Sequence, residues 1–218
     1  VSDPRVVFLV PWRGGAPDRE KSWAIVRPYY EQTGWPMYLG DSGSKPFAVG
    51  QSCNRAAAAA GDWDVAIIIN TDCIIPLENL QAGVWHALRT GNLTLPHDDF
   101  KAMQRNRFPV PPIDRSWRYY IIPWYSGGRK MPAGVVIMPR SVWDRIGGYD
   151  ERFVQWGYED SALLISAGAY DRLPGVMYHY FHTMRTDKAH QPSRELWHAE
   201  YWGRPQPIET LVRADEKG

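Results

Sequence analysis

Asp64-Val65-Ala66-Ile67-Ile68-Ile69-Asn70-Thr71-Asp72-Cys73-Ile74-Ile75-Pro76 contains an unbroken apolar run, Val65 to Ile69, that stops abruptly on Asn70-Thr71-Asp72. Apolar and β-branched side chains without alternation predict a strand from Asp64 to Asn70 buried on both faces, as inside a parallel sheet. Pro76 then opens a helix, because proline lacks an N–H that the first turn would leave unpaired anyway. Leu77, Leu80, Val84 and Leu88 share one face of that helix, which can therefore pack on the sheet.

The same alternation occurs twice upstream. Arg5 to Val10 (RVVFLV) reads as a strand ending at Pro11, and Asp18 to Thr33 as a helix with Trp23, Val26 and Tyr30 on one face and Pro28 as a kink. Trp35 to Gly40 is a second strand closed by the turn Asp41-Ser42-Gly43-Ser44, and Phe47 to Ala60 is a helix ending in five alanines. Three strand–helix units predict an α/β fold with a central, mostly parallel sheet flanked by helices. Ligands in such sheets bind at the carboxyl ends of the strands, here marked by Arg13, Asp41 and Asn70-Thr71-Asp72.

Downstream the regularity fades. Leu93 to Met131 is rich in aromatic residues, proline and glycine and reads as a long functional loop. Ala133 to Met138 is another strand, and Arg140 to Ile146 a short helix closing at Gly147. The run Gly147 to Asp160 (GGYDERFVQWGYED) sets Glu159-Asp160 directly ahead of an apolar helix, Ser161 to Ala167. Val176 to Phe181 is a last strand, and residues 206–218 read as a flexible polar tail.

Composition narrows the partners. The chain has 218 residues, and its 25 basic and 24 acidic side chains leave a net charge of +1, which argues against a general nucleic-acid or membrane-surface binder. No apolar run is long enough to span a membrane, and the N-terminal residues lack a signal-peptide pattern. Cys53 and Cys73 form neither a disulfide framework nor a metal pair, so a reducing cytoplasm is the simplest compartment. The 11 Trp and 12 Tyr exceed what core packing needs, and such rings both stack on sugars and fill cores.

Two groups of residues can carry chemistry. Asp72, at the end of a buried strand, is either a cation ligand exposed in the crevice or part of an ordinary Asx turn. Glu159-Asp160 is either a helix cap, since carboxylates suit a helix N-terminus, or a catalytic pair. Four of the six histidines, His179, His182, His190 and His198, crowd the C-terminal stretch. His182 falls at a strand end where a metal ligand can reach the crevice; His179 and His190 read as structural. Arg13-Gly14-Gly15 offers a weak phosphate loop in which Arg13 can pair with a diphosphate. No GxGxxG, Walker loop, HExxH or GxSxG is present.

These motifs, in this order, resemble a GT-A-fold glycosyltransferase. The first strand, ending Val10-Pro11-Trp12-Arg13, is similar to that of family 2 enzymes. Asp41-Ser42-Gly43-Ser44 resembles the turn that holds the nucleotide base, and Asn54-Arg55 a position facing the nucleotide. Asn70-Thr71-Asp72-Cys73-Ile74-Ile75-Pro76 resembles the DxD motif, with Asp72 as its metal-binding second acid and Asn70 in place of the first. Pro132 to Leu164 resembles the galactosyltransferase-type segment of β-1,4-galactosyltransferases and polypeptide N-acetylgalactosaminyltransferases, departing from it at Tyr158 and Ser161. Phe181-His182-Thr183 resembles the closing segment whose His completes the metal site.

The resemblance implies one GT-A domain over residues 1–205, with a nucleotide-binding half (1–92) and an acceptor-side half (93–205). It implies a nucleotide-sugar donor, most simply a UDP-sugar, held by Pro11, Arg13, Asp41, Asn54, Arg55, Asn70, Thr71, Asp72 and Gly134. Asp72 and His182 would hold Mn²⁺, with Mg²⁺ less at ease beside imidazole. Asp160 would be the general base of an inverting transfer and Glu159 would bind sugar hydroxyls. Trp124, Trp156, Gly157 and Tyr158 would line the side of a saccharide, glycolipid or protein acceptor. Rival readings are a nucleotidyltransferase that makes nucleotide-sugars, a metal-dependent hydrolase, and a non-catalytic carbohydrate-binding module.

Overall fold

The computed structural model describes residues 3–122, 133–154, 157–183 and 191–213. Its strands and helices are β1 (Val6–Pro11), α1 (Pro17–Glu31), β2 (Met37–Gly40), α2 (Val49–Ala60), β3 (Val65–Ile69), β4 (Cys73–Ile74), α3 (Leu77–Thr90), β5 (Leu93–Leu95), β6 (Asp99–Ala102), β7 (Val135–Pro139), α4 (Arg140–Ile146), α5 (Glu159–Ala167), β8 (Ala169–Arg172), β9 (Val176–His179), α6 (Gln191–Glu200) and β10 (Ile208–Leu211).

Seven strands form the central sheet in the order β10-β8-β5-β7-β3-β1-β2. Four of its six pairings are parallel, and only β7 runs against both neighbours. The carboxyl ends of β1, β2, β3 and β5 consequently share one edge. Both faces are covered: Phe8, Val10, Ile67 and Ile69 pack toward α1 and α3, while Val7, Leu9, Ala66 and Ile68 pack toward α2 and α5. That double burial is why β1 and β3 read as continuous apolar runs.

A second sheet, β4-β9-β6, stands at the carboxyl edge. Cys73 lies opposite His179, and Ile74 opposite Tyr178, in the antiparallel β4–β9 ladder. Two tyrosines of α1 fasten the chain leaving β4. Ile75 N–H donates to the Tyr30 hydroxyl at 3.0 Å, and Leu77 N–H to the Tyr29 hydroxyl at 3.1 Å.

Several expectations need correction. Leu93 to Ile122 is not a plain loop, for it carries β5, β6 and a 3-10 helix, Arg115–Tyr120, whose buried Trp117 packs edge-on against Tyr178 at 5.0 Å. Strand β8 and helix α6 are additional elements. The supposed tail does not start at 206: β10 pairs parallel to β8, and Glu209 accepts from the buried Arg172 guanidinium at 2.8 Å. A buried guanidinium needs such a partner, so the polar character of this segment reflects an ion pair at a sheet edge. Among the described residues, no helix is long and apolar enough to cross a membrane.

Candidate active site

A pocket of about 250 Å³ opens at the carboxyl end of β1. Pro11 to Ala16 form one wall, Phe47 and Val49 another, and Arg19, Thr71, His182 and Thr183 complete it. Asp18, in the first turn of α1, accepts from both the N–H and the hydroxyl of Thr183, at 3.3 and 2.9 Å, and so ties the His182 segment to this wall.

Asp72 is at the centre of the charged groups. It is only 1% exposed, yet Oδ2 has no hydrogen-bond partner; the neighbouring Thr71 Oγ1 is in the same condition. His182 Nε2 lies 3.4 Å from Asp72 Oδ2, His179 Nε2 lies 3.7 Å from Oδ1, and Arg19 Nη1 lies 3.6 Å from Oδ2. Burial alone would raise the Asp72 pKa, but His179, Arg19 and His182, with the Cys73 thiol, outweigh it and hold the carboxyl below its ordinary value. Burial pushes His179 the opposite way from Asp72's attraction and wins, so its pKa is lowered and its ring favours the neutral, ligating form.

One ligand atom from each of Asp72, His179 and His182 lies within 4.8 Å of the others, a spacing that a single ion can draw together. A carboxylate and two imidazoles suit a first-row divalent ion. Asp72 Oδ2, buried and without a hydrogen bond, is what such an ion would satisfy, since ion-pair contacts at 3.4 and 3.6 Å leave a buried carboxylate incompletely compensated. The residues therefore fit a metal. His179, which reads as structural in the sequence, lies in this cluster as well, because the β4–β9 register sets it across from Cys73.

The other expected donor residues divide. Asp41 is chelated by Arg13, whose Nε lies 3.0 and 2.9 Å from its two oxygens; Nη2 also reaches Asp41. That ion pair, helped by the Gly43 N–H, pulls the Asp41 pKa down to about 2. Arg55 donates to the Asp41 carbonyl at 2.8 Å. Asn54 has a scaffolding role: its amide exchanges hydrogen bonds with the Tyr149 backbone and Glu151, each at 2.9 Å, pinning the Gly148–Glu151 turn to α2. Asn70 N–H donates to the Gly134 carbonyl at 2.9 Å, and its own carbonyl accepts from Cys73 N–H at 3.2 Å. Gly134 has φ +112°, and a Cβ there would stand 2.7 Å from Met177 Sδ and 3.1 Å from Cys73 Sγ, so only glycine fits beside the Asn70–Cys73 turn.

Glu159 and Asp160 open α5 and do not line the pocket. Burial raises the Asp160 pKa to about 6, against the lowering effect of the Tyr149 hydroxyl 3.3 Å from its Oδ1. Its charge is felt at Cys73, next to Asp72, whose thiol pKa is pushed up chiefly by burial and then by Asp72. Tyr158 caps α5 in a left-handed conformation, φ 72°, which costs a non-glycine residue energy. It is held by stacking on Trp197 at 5.4 Å, which stacks in turn on Tyr201 at 5.7 Å. Gly157, also at positive φ, precedes it. Trp124, Trp156 and His190 lie outside the described residues. Helix α6 supplies Trp197, and Arg19 is a single arginine on a helix face, which no sequence pattern distinguishes.

No curated protein sequence matches the chain. The family model described as the N-terminal domain of galactosyltransferase matches residues 121–182, the stretch from before β7 to His182. Among solved structures, GalNAc-T7 with UDP, GalNAc and Mn²⁺ superposes with a TM-score of 0.52 at 10% identity, over 92% of this chain and 43% of that one. The catalytic domain of Drosophila beta1,4galactosyltransferase 7 in complex with xylobiose gives 0.44 at 13%, over 83% and 66%. Glucosyl-3-phosphoglycerate synthase from Mycobacterium tuberculosis, with phosphoglyceric acid, gives 0.48 at 14%, over 96% and 88%. The chain thus spans less than two thirds of the first two. The fold is GT-A, as the likeness to GalNAc-T7 shows, and the segment that the galactosyltransferase model matches carries Asp160, His179 and His182.

Proposed function

We propose that the chain moves a sugar from a nucleotide-sugar, most simply a UDP-sugar, to an acceptor hydroxyl with inversion, assisted by a divalent ion. The observation that carries this reading is Asp72, a buried carboxylate between two histidines with one oxygen that makes no hydrogen bond, next to the pocket residues Thr71, His182 and Arg19. GalNAc-T7, whose fold is alike, is described with UDP, GalNAc and Mn²⁺. Asp72, His179 and His182 would hold Mn²⁺ or, less readily, Mg²⁺, which supplies Lewis-acid stabilisation of the departing diphosphate. Residues 1–92 form the nucleotide side, with Pro11, the Arg13–Asp41 pair, Asn70 and Thr71 nearest the donor.

Residues 93–205 form the acceptor side. Asp160, at a pKa of about 6, is ionised near neutrality and still basic enough to accept a proton. It takes the acceptor hydroxyl proton as that oxygen attacks the anomeric carbon and the bond to the diphosphate breaks. Glu159, Tyr158 and Gly157 orient the acceptor, and we assign Trp124 and Trp156 to the same side from the sequence resemblance. The acceptor is a saccharide, free or on a lipid or protein. The two buried thiols, Cys53 and Cys73, suit a reducing compartment such as the cytoplasm.

A thermal-shift panel of nucleotide-sugars tests the reading, because a ligand of the native state raises its melting point. A rise with a UDP-sugar that requires Mn²⁺ is expected. Binding of free saccharides without nucleotides would point to a carbohydrate-binding module instead.

A further inference from the structure

We propose that Arg19 couples metal and diphosphate binding in this pocket, opposing the ion while the pocket is empty and gripping the diphosphate once the ion is bound. The inference rests on the reading of the pocket as a nucleotide-sugar site.

Arg19 lies in the first turn of α1, where the helix dipole is positive and a cation is electrostatically misplaced. The acids of that turn have other hydrogen-bond partners: Asp18 accepts from Thr183, and Glu20 accepts from Gly15 N–H at 2.7 Å. The helix has no side-chain cap at Ala16, and Gly14 to Ala16 face the pocket together with Arg19. Arg13, the other guanidinium on this wall, is consumed by Asp41. The carboxylate that Arg19 reaches is Asp72, at 3.6 Å, on the oxygen that also faces His182.

An ion held by Asp72, His179 and His182 would set a double positive charge a few ångströms from the Arg19 guanidinium. The two repel, and the ion claims the oxygen Arg19 now attends. A diphosphate resolves the conflict: its oxygens can take the planar fork of Arg19, the uncapped N–H groups of α1 and the ion together. Thr71, on the pocket wall with a buried hydroxyl that makes no hydrogen bond, offers a further donor. Metal and diphosphate each remove a penalty on the other, which is positive coupling carried by one side chain.

Calorimetric titration of the whole chain with MnCl₂, and with UDP in the absence and presence of saturating Mn²⁺, tests the proposal in wild type, Arg19→Gln and Arg19→Lys. In Arg19→Gln, Mn²⁺ alone is expected to bind about tenfold tighter and UDP with Mn²⁺ about tenfold weaker, changes of the size typical for coupled sites. Arg19→Lys keeps the charge and loses the fork, so its Mn²⁺ affinity stays at the wild-type value while UDP still weakens. Unchanged or weaker Mn²⁺ binding in Arg19→Gln, with UDP still bound by wild type, overturns the role of Arg19 alone. Failure of UDP to bind wild type at any Mn²⁺ concentration overturns the donor-site reading as well.

Discussion

His179 faces Cys73 across the β4–β9 ladder, and this one register places its Nε2 3.7 Å from the buried Asp72 carboxylate. Tyr180 N–H, next along, donates to the Asp72 carbonyl at 2.8 Å, so the turn that carries Asp72 is hydrogen-bonded to the segment that links His179 to His182. If the three side chains hold an ion, each is expected to contribute separately to its affinity.

Replacing Asp72 by Ala removes the only carboxylate of the three clustered ligand residues. Mn²⁺-dependent UDP binding is expected to disappear in calorimetry. His179→Ala and His182→Ala should each weaken Mn²⁺ by roughly 10–100-fold, the loss usual for a perturbed metal shell. Loss at His182 with none at His179 would restrict the site to the ligands the sequence alone suggested.

Asp160 gives a pH-dependent prediction. A folded pKa of about 6, above the ordinary 3.8, means the native state holds this proton more tightly than the unfolded chain. Its contribution to stability is thus full below about pH 4 and lost as pH rises through 6. Asp160→Asn should melt higher than wild type at pH 7.5, and the gap should close below pH 4. The same variant should lose transfer by ~10²–10⁴-fold while UDP affinity holds. The wild-type rate should climb through pH 6; undiminished turnover in Asp160→Asn would remove the base assignment.

The Arg13–Asp41 pair runs in the opposite sense. Asp41, drawn down to about 2, should titrate near that value in carboxyl carbon NMR, and Arg13→Ala should return it toward the ordinary range. The stability it lends is present above about pH 4 and lost as pH falls toward 2, and solvent screening keeps it small. Unchanged titration in Arg13→Ala would show that the pair is not formed in solution.

Gly134→Ala puts a methyl group into Met177 and Cys73 at positive φ. A destabilisation of about 1–3 kcal/mol is expected from the backbone strain, read by urea unfolding, together with weaker Mn²⁺ binding through the displaced Cys73 turn. Gly61→Ala, at positive φ with nothing near its Cβ, is a control that should spare Mn²⁺.

The nucleotide side was legible because its information is local. Buried parallel strands such as Val65–Ile69 write themselves as apolar runs, and polar residues at their carboxyl ends mark the crevice. What escaped depends on pairing between distant segments. The two residues of β4 carry no periodicity, yet their register decides that His179 is a candidate ligand. Asn54 is expected at the nucleotide by resemblance alone, and its amide is hydrogen-bonded to Tyr149 and Glu151. Ile208–Leu211 reads as tail because the segment is polar; the partner of Glu209, Arg172, is buried 37 residues earlier. Helix α6 is short and polar, and its Leu196 and Trp197 pack against the cluster of Phe153, Ala162 and Tyr201, the first two from distant parts of the chain.

The most direct test is a crystal of the chain grown with MnCl₂ and UDP, with anomalous diffraction used to locate the ion. An anomalous peak bonded to Asp72, His179 and His182, with the diphosphate in the pocket beside Arg19 and Thr71, is the predicted result. Manganese bound elsewhere, or UDP seated away from these residues while Asp72 remains unliganded, would contradict the account.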